Sequence, residues 1–115
     1  MRIKLFESFN HDLDVILAEV DDCLVELRDN GFEWESEFSS STNIINIKIS
    51  KVDSFRIKEV QQSVLFLLDY FDEKYVIKGK TISSERNGLK SIDMKNENEI
   101  FKYYSREIDI KIRIG

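Results

Sequence analysis

The amino-acid sequence predicts an α+β fold: a two-layer sandwich in which two helices cover one face of an antiparallel sheet of four or five strands. Three observations lead there. Apolar residues recur at helical steps in two stretches, near 13–27 and 57–71. They alternate at strand spacing near 32–38, 45–49 and 108–114. Each helical stretch is followed by two extended ones, so the order reads helix–strand–strand, twice.

The first helix runs from Asn10 to Asn30. Leu13, Ile16, Leu17, Val20, Leu24 and Leu27 fall on one stripe. Asn10 or Asp12 can cap its start by accepting a hydrogen bond from a free backbone N–H. Asn30-Gly31 stops it with a residue suited to positive φ. From Phe32 to Phe38 the period becomes two, with Phe32, Trp34 and Phe38 inward and Glu33, Glu35 and Glu37 outward. "SSSTN" (39–43) turns the chain into a partner strand carrying Ile45, Ile47 and Ile49. Asp53 or Ser54 is the expected cap of the second helix, which runs to about Lys74. Ile57, Val60, Val64, Leu67, Leu68 and Phe71 form its core stripe.

A third strand is expected over Tyr75–Ser83 and a fourth over Arg106–Ile114, with Ile108, Ile110, Ile112 and Ile114 inward. Between them, Leu89–Met94 suits a short strand and Asn98–Tyr104 a helical turn. If Arg2–Phe6 is also a strand, the order of the first part becomes βαββαβ, the ferredoxin-like arrangement; otherwise it is αββαββ. Ile45–Ile49 and Ile108–Ile112 share an Ile-x-Ile-Lys-Ile pattern. A degenerate duplication gives that pattern, and so does any buried strand with alternating Ile.

The chain has 115 residues, which suits a single domain over 1–115. Its longest apolar run, Val64–Leu68, is five residues, far short of a bilayer span. The start "MRIKLFESFN" contains an acid and lacks the small-residue cleavage site of a signal peptide. A lone cysteine, Cys23, fits a reducing cytoplasm.

The residue types that carry catalysis are sparse. His11 and Cys23 are about 18 Å apart along one helix, at ~1.5 Å per residue, so they form no dyad. One His and one Cys do not make a zinc site. Four scattered glycines make no phosphate loop. Glu33, Glu35 and Glu37 stand about 7 Å apart along one strand face and can bind a divalent metal. A solvated face paired with Lys48 is the favoured explanation of them. The sequence therefore predicts no catalytic, metal or cofactor site. Direct nucleic-acid binding is disfavoured too, because the open sheet face offers glutamates where an RNA-binding sheet offers aromatics. The bases Lys78, Lys80, Lys90, Lys102, Lys111 and Arg113 lie in the second half of the chain.

The charge is the feature left over. Between Glu7 and Glu37 there are eleven acids and one base, Arg28. Residues 1–57 carry net −6 and residues 58–115 net +1. Glu19, Asp22, Glu26 and Asp29 are expected on the outer face of the first helix, with no i,i+4 base to offset them. Such a face attracts a basic protein surface, including one that otherwise holds nucleic acid. On the second helix, Phe66 and Tyr70 fall at i,i+4 opposite the core stripe, and suit either a protein-interface anchor or cover by the 84–105 loop.

The opening Lys4–Phe9, "KLFESF", resembles the starts of many small proteins of T4-type and related tailed bacteriophages, which often read Met, one or two Lys, then Phe-Glu-x-Phe. The absence of proline and the heavy use of Ile, Lys and Asn agree with an AT-rich source. An acidic helix ending in "DNGF" (Asp29–Phe32) before alternating strands looks like other phage proteins of this size. What the resemblance implies is an origin. Small phage proteins are often inhibitors of host defence, modifiers of host enzymes, or minor virion components. The expectation is a non-enzymatic protein-binding module in the bacterial cytoplasm. Its contact set is Glu19, Asp22, Glu26, Asp29, Phe66 and Tyr70, and its partner has a basic surface. The rivals are a homo-oligomeric assembly protein, a homodimer included, and a carboxylate–metal enzyme using Glu33, Glu35 and Glu37.

Overall fold

A computed structural model describes residues 13–84, 92, 94–96 and 104–115. Its elements are α1 (Leu13–Arg28), β1 (Phe32–Ser39), β2 (Ile44–Arg56), α2 (Lys58–Tyr75), β3 (Ile77–Ser84) and β4 (Tyr104–Ile114). The order is αββαββ, with every strand pair antiparallel and the sheet ordered β1-β2-β4-β3. The strand raised for Arg2–Phe6 lies outside the described residues.

The two central strands explain the shared Ile-x-Ile-Lys-Ile pattern. Ile45 pairs with Ile112, Ile47 with Ile110 and Ile49 with Ile108, so the pattern faces itself in antiparallel register. All six isoleucines are fully buried. Period-two alternation sends Lys48 and Lys111 to the other face. There Lys48 stands between Glu35 on β1 and Asp109 on β4, an acid–base–acid row.

The helices lie on the isoleucine face and bury Ile16, Val20, Leu24 and Leu27 from α1, and Val60, Val64, Leu67 and Phe71 from α2. Leu13, expected in the stripe, is 46% exposed at the start of α1, and Leu17 is half-buried. Trp34 and Phe38 are only half-buried, because β1 is an edge strand and its inward residues sit at the rim of the helical layer. The α1 stop is as the Asn30-Gly31 pair predicts: Gly31 takes φ +86° and its N–H reaches the Arg28 carbonyl.

The junction before α2 differs from expectation. Asp53 and Ser54 do not cap the helix; β2 runs through them to Arg56. Between Ser50 and Phe55, β2 advances five residues while β4 advances two, from Glu107 to Ser105. This bulge throws Val52 outward and returns Phe55 to the core, edge-on to Phe32 at 4.9 Å. Ile57 then occupies the cap position without a side-chain cap bond, and Glu59 instead accepts the Arg56 N–H at 2.9 Å. Tyr75 closes α2 and does not begin β3. Ile92 and Met94 are buried, and the Ile92 N–H donates to the Ile82 carbonyl, covering part of the β3 edge. Neither lies in a strand; most of the strand and helical turn expected over 89–104 falls outside the described residues, and Tyr104 belongs to β4.

Among the described residues, no helix is long and apolar enough to cross a membrane.

Candidate functional site

The two helices run antiparallel. Asp22 and Glu26 of α1 share a groove with Gln62 and Phe66 of α2, whereas Glu19, one turn back on α1, meets Tyr70, Lys74 and Tyr75, further on along α2. The helix pair therefore has two adjoining regions, one closed and one open.

The closed region is a carboxylate clamp. Glu19 is 8% exposed. Its Oε1 accepts from the Tyr75 hydroxyl; its Oε2 accepts from the Tyr70 hydroxyl and, at 2.5 Å, from Lys74 Nζ. Burial pushes the Glu19 carboxyl up, but the bonds from Lys74, Tyr70 and Tyr75 outweigh it and hold the group below its ordinary value. Burial, then the Glu19 bond, pushes the Tyr75 phenol up to about 12. The Glu19 bond raises Lys74 as well. All three donors converge on one acceptor, so at neutral pH the cluster is a satisfied ion pair. Glu19 was expected on the solvent face of α1. It turns toward α2 because a charge at that position is tolerated only with donors beside it, and α2 supplies three. Tyr70 was expected to be an outward aromatic; it is half-buried and its hydroxyl belongs to the clamp.

The open region is a groove of about 290 Å³. Asp22, Val25 and Glu26 form one wall, Gln62, Ser63 and Phe66 the other, and Cys23 lies at the floor. Val25 is 52% exposed and Phe66 59%, so an apolar residue faces outward from each helix. Cys23 is buried, and burial, with Glu19 and Asp22 adding repulsion, pushes its thiol up to about 11. That keeps it protonated and chemically quiet near neutrality.

Acid lines and neighbours the groove. Asp22 and Glu26 of its α1 wall are exposed, as are Asp29 just past α1 and Asp69 and Glu73 on α2. Among the described residues none of the five is in an ion pair. Two bases of these helices are engaged elsewhere. Arg28 lies over the Trp34 ring at 5.0 Å, and Lys74 is held by Glu19. Thus Asp22, Glu26 and Phe66 line one groove. Asp29 is exposed just beyond the last turn of α1, and Glu19 and Tyr70 belong to the neighbouring clamp. Val25 was missed at the sequence level. Its signal was an apolar residue opposite the core stripe, and it gains meaning only once Phe66 is placed across from it.

A second hollow, of about 550 Å³, lies where α1 meets β1 and is lined by Arg28, Trp34, Glu33, Glu35 and Ser50. Its polar groups are already partly used: Trp34 Nε1 donates to Asp21 at 2.8 Å beneath the Arg28 stack. Glu33, Glu35 and Glu37 are exposed in a row on the open sheet face. Among the described residues no three His, Cys, Asp or Glu side chains are grouped to hold a metal ion. Of the candidate basic patch, Lys111 and Arg113 lie on the open sheet face and Lys80, paired with buried Ile112, on the helix side. Lys90 and Lys102 are outside the described residues.

No protein-family model matches the chain, and neither the curated proteins nor the solved structures contain a match. Function is therefore argued from the geometry.

Proposed function

We propose that this chain is a non-catalytic binding module that uses the outer face of its helix pair to hold a basic surface of another protein. The observation that carries this reading is the coincidence, on the helix pair, of exposed carboxylates that among the described residues make no ion pair and a groove bounded by Val25 and Phe66. Carboxylates speed and orient encounter; a desolvated apolar contact supplies the affinity. The bacteriophage resemblance of the N-terminal segment makes an inhibitor or modifier the favoured role. Its target would be a host protein of defence or nucleic-acid handling in the bacterial cytoplasm, one whose basic surface otherwise meets phosphate.

The test is affinity for a partner identified by pull-down, measured by calorimetry at low and high salt. Wild type should bind more weakly as salt rises, and the double substitution Asp22→Lys/Glu26→Lys should abolish binding without altering the melting transition. Unchanged affinity in that double variant would remove the helical face from the contact.

A second reading, self-assembly, has one observation in its favour. β1 is an edge of the sheet, and among the described residues no strand pairs with its outer side. A solution mass well above 13.6 kDa would favour it; a monomer at high concentration would exclude it.

A further inference from the structure

We infer that the groove between α1 and α2 takes an amphipathic helix of the partner, one with a single apolar stripe and Lys or Arg on both flanks. This rests on the binding role proposed above and adds the form of the occupant. The first argument is backbone satisfaction. Both walls of the groove are helices, whose N–H and C=O groups are already paired internally, so the surface offers no free strand edge. An extended segment laid on it would bury peptide carbonyls with only the Gln62 amide and the Ser63 hydroxyl as strong donors, since Asp22 and Glu26 only accept. A helix satisfies its own backbone and can lie on such a surface at no such cost.

The second argument is the distribution of charge. The exposed apolar residues Val25 and Phe66 line the groove, one from each helix. Asp22 and Glu26 stand beside them on the α1 wall, and on α2 the exposed Asp69 lies one turn on from Phe66. Acid on both helices beside the apolar pair selects a docking helix whose apolar stripe is bordered by bases; an acidic border would meet like charge. The third argument is size. A groove of about 290 Å³ accepts a large apolar side chain or two, as an i,i+4 pair on a docking helix presents, and is too small to enclose a folded loop.

The probe is a fluorescein-labelled 18-residue peptide of Leu and Lys with leucines at helical i,i+3,i+4 spacing. It is compared with a scrambled peptide of identical composition, by fluorescence polarisation against the full chain at low salt. The amphipathic peptide should bind at least tenfold more tightly than the scramble and gain helical circular dichroism on binding. Phe66→Ser and Val25→Ser should each weaken it several-fold while leaving the melting curve unchanged, since both side chains are more than half exposed. If both peptides bind equally and both are lost in Asp22→Lys/Glu26→Lys, the helical occupant is wrong while the acidic contact face stands. If neither peptide binds, the occupant and the proposed binding role both fall.

Discussion

Removing the Glu19 carboxylate should weaken the fold more than removing any other acid on α1. Its side chain is about 10% exposed, whereas Asp22, Glu26 and Asp29 stand in water. The magnitude follows from the most shielded donor. Tyr75 is half-buried and stacked on Phe71 at 5.4 Å, and a hydrogen bond to a charged group in such a place is worth about 1.5–3 kcal/mol. Lys74 is about half exposed and Tyr70 only half-buried, so both rehydrate when the carboxylate is lost and are assigned no share. Glu19→Ala also removes one shielded methylene, about 0.8 kcal/mol. The expected loss is therefore about 2–4 kcal/mol, a large fraction of the ~5–15 kcal/mol that holds a domain together. Glu19→Gln keeps the methylene and one acceptor, and should lose about 1 kcal/mol because neutral hydrogen bonds are roughly half as strong.

The assay is urea unfolding of wild type and both variants from pH 7 to pH 3. The folded-state pKa of Glu19 lies below its ordinary value of 4.5, so its contribution is fully present above that value and is lost as pH falls through the depressed one. The wild-type advantage over Glu19→Gln should hold level down to about pH 4.5 and then shrink. On the alkaline side Tyr75 has a raised pKa, so its contribution persists below its ordinary value of 10.0 and fades as pH climbs toward about 12. A gap between wild type and Glu19→Gln that ignores pH, or a Glu19→Ala loss under about 0.5 kcal/mol, would refute the clamp, since that is what an ordinary surface site shows.

Three further predictions concern the helix ends and the buried thiol. Gly31→Ala should destabilise by about 1–2 kcal/mol, because φ +86° is strained for any side chain even though the added Cβ meets only Lys51 Cε at 3.6 Å. Val76→Gly should do the reverse and gain up to about 1 kcal/mol: Val76 is exposed and β-branched at φ 61°, and relief of that strain exceeds the extra freedom glycine gives the unfolded chain. Both are read from the same urea curves, and like signs for the two would contradict the backbone argument. With its thiol pushed up to about 11, Cys23 should react with iodoacetamide at pH 8 about 100-fold more slowly in the folded protein than in urea. Equal rates would show that the helix pair opens readily.

The features legible in the sequence were those fixed by a single element's own period. The alternating isoleucines of β2 and β4 and the two helical stripes need only the geometry of one strand or one helix, and apart from exposed Leu13 and half-buried Leu17 they are where the pattern puts them. The junction before α2 was misread because Asp53-Ser54 ahead of an apolar period satisfies the local rule for a cap. What decides it is distant. Phe55 pairs with Ser105 and packs on Phe32, and the strand must extend to deliver it there. Glu19 was misread for the same reason. A lone carboxylate on a helix belongs in water unless donors meet it, and its donors lie 51 to 56 residues along the chain.

The groove shows how one such contact reaches the candidate site. Val25 and Phe66 share one groove only at one relative rotation of α1 and α2. A rotation of α1 by one residue, about 100°, would turn Val25 away from the groove. The apolar contacts below are forgiving of small rotations, since Ile, Leu and Val side chains pack adequately in several arrangements. Two tyrosine hydroxyls and an ammonium converging on one carboxylate are not. They sit a turn or two from the groove on the same two helices, and they set the angle at which α1 presents Asp22, Val25 and Glu26. The acid that left the expected contact face is thus the one that orients the others upon it.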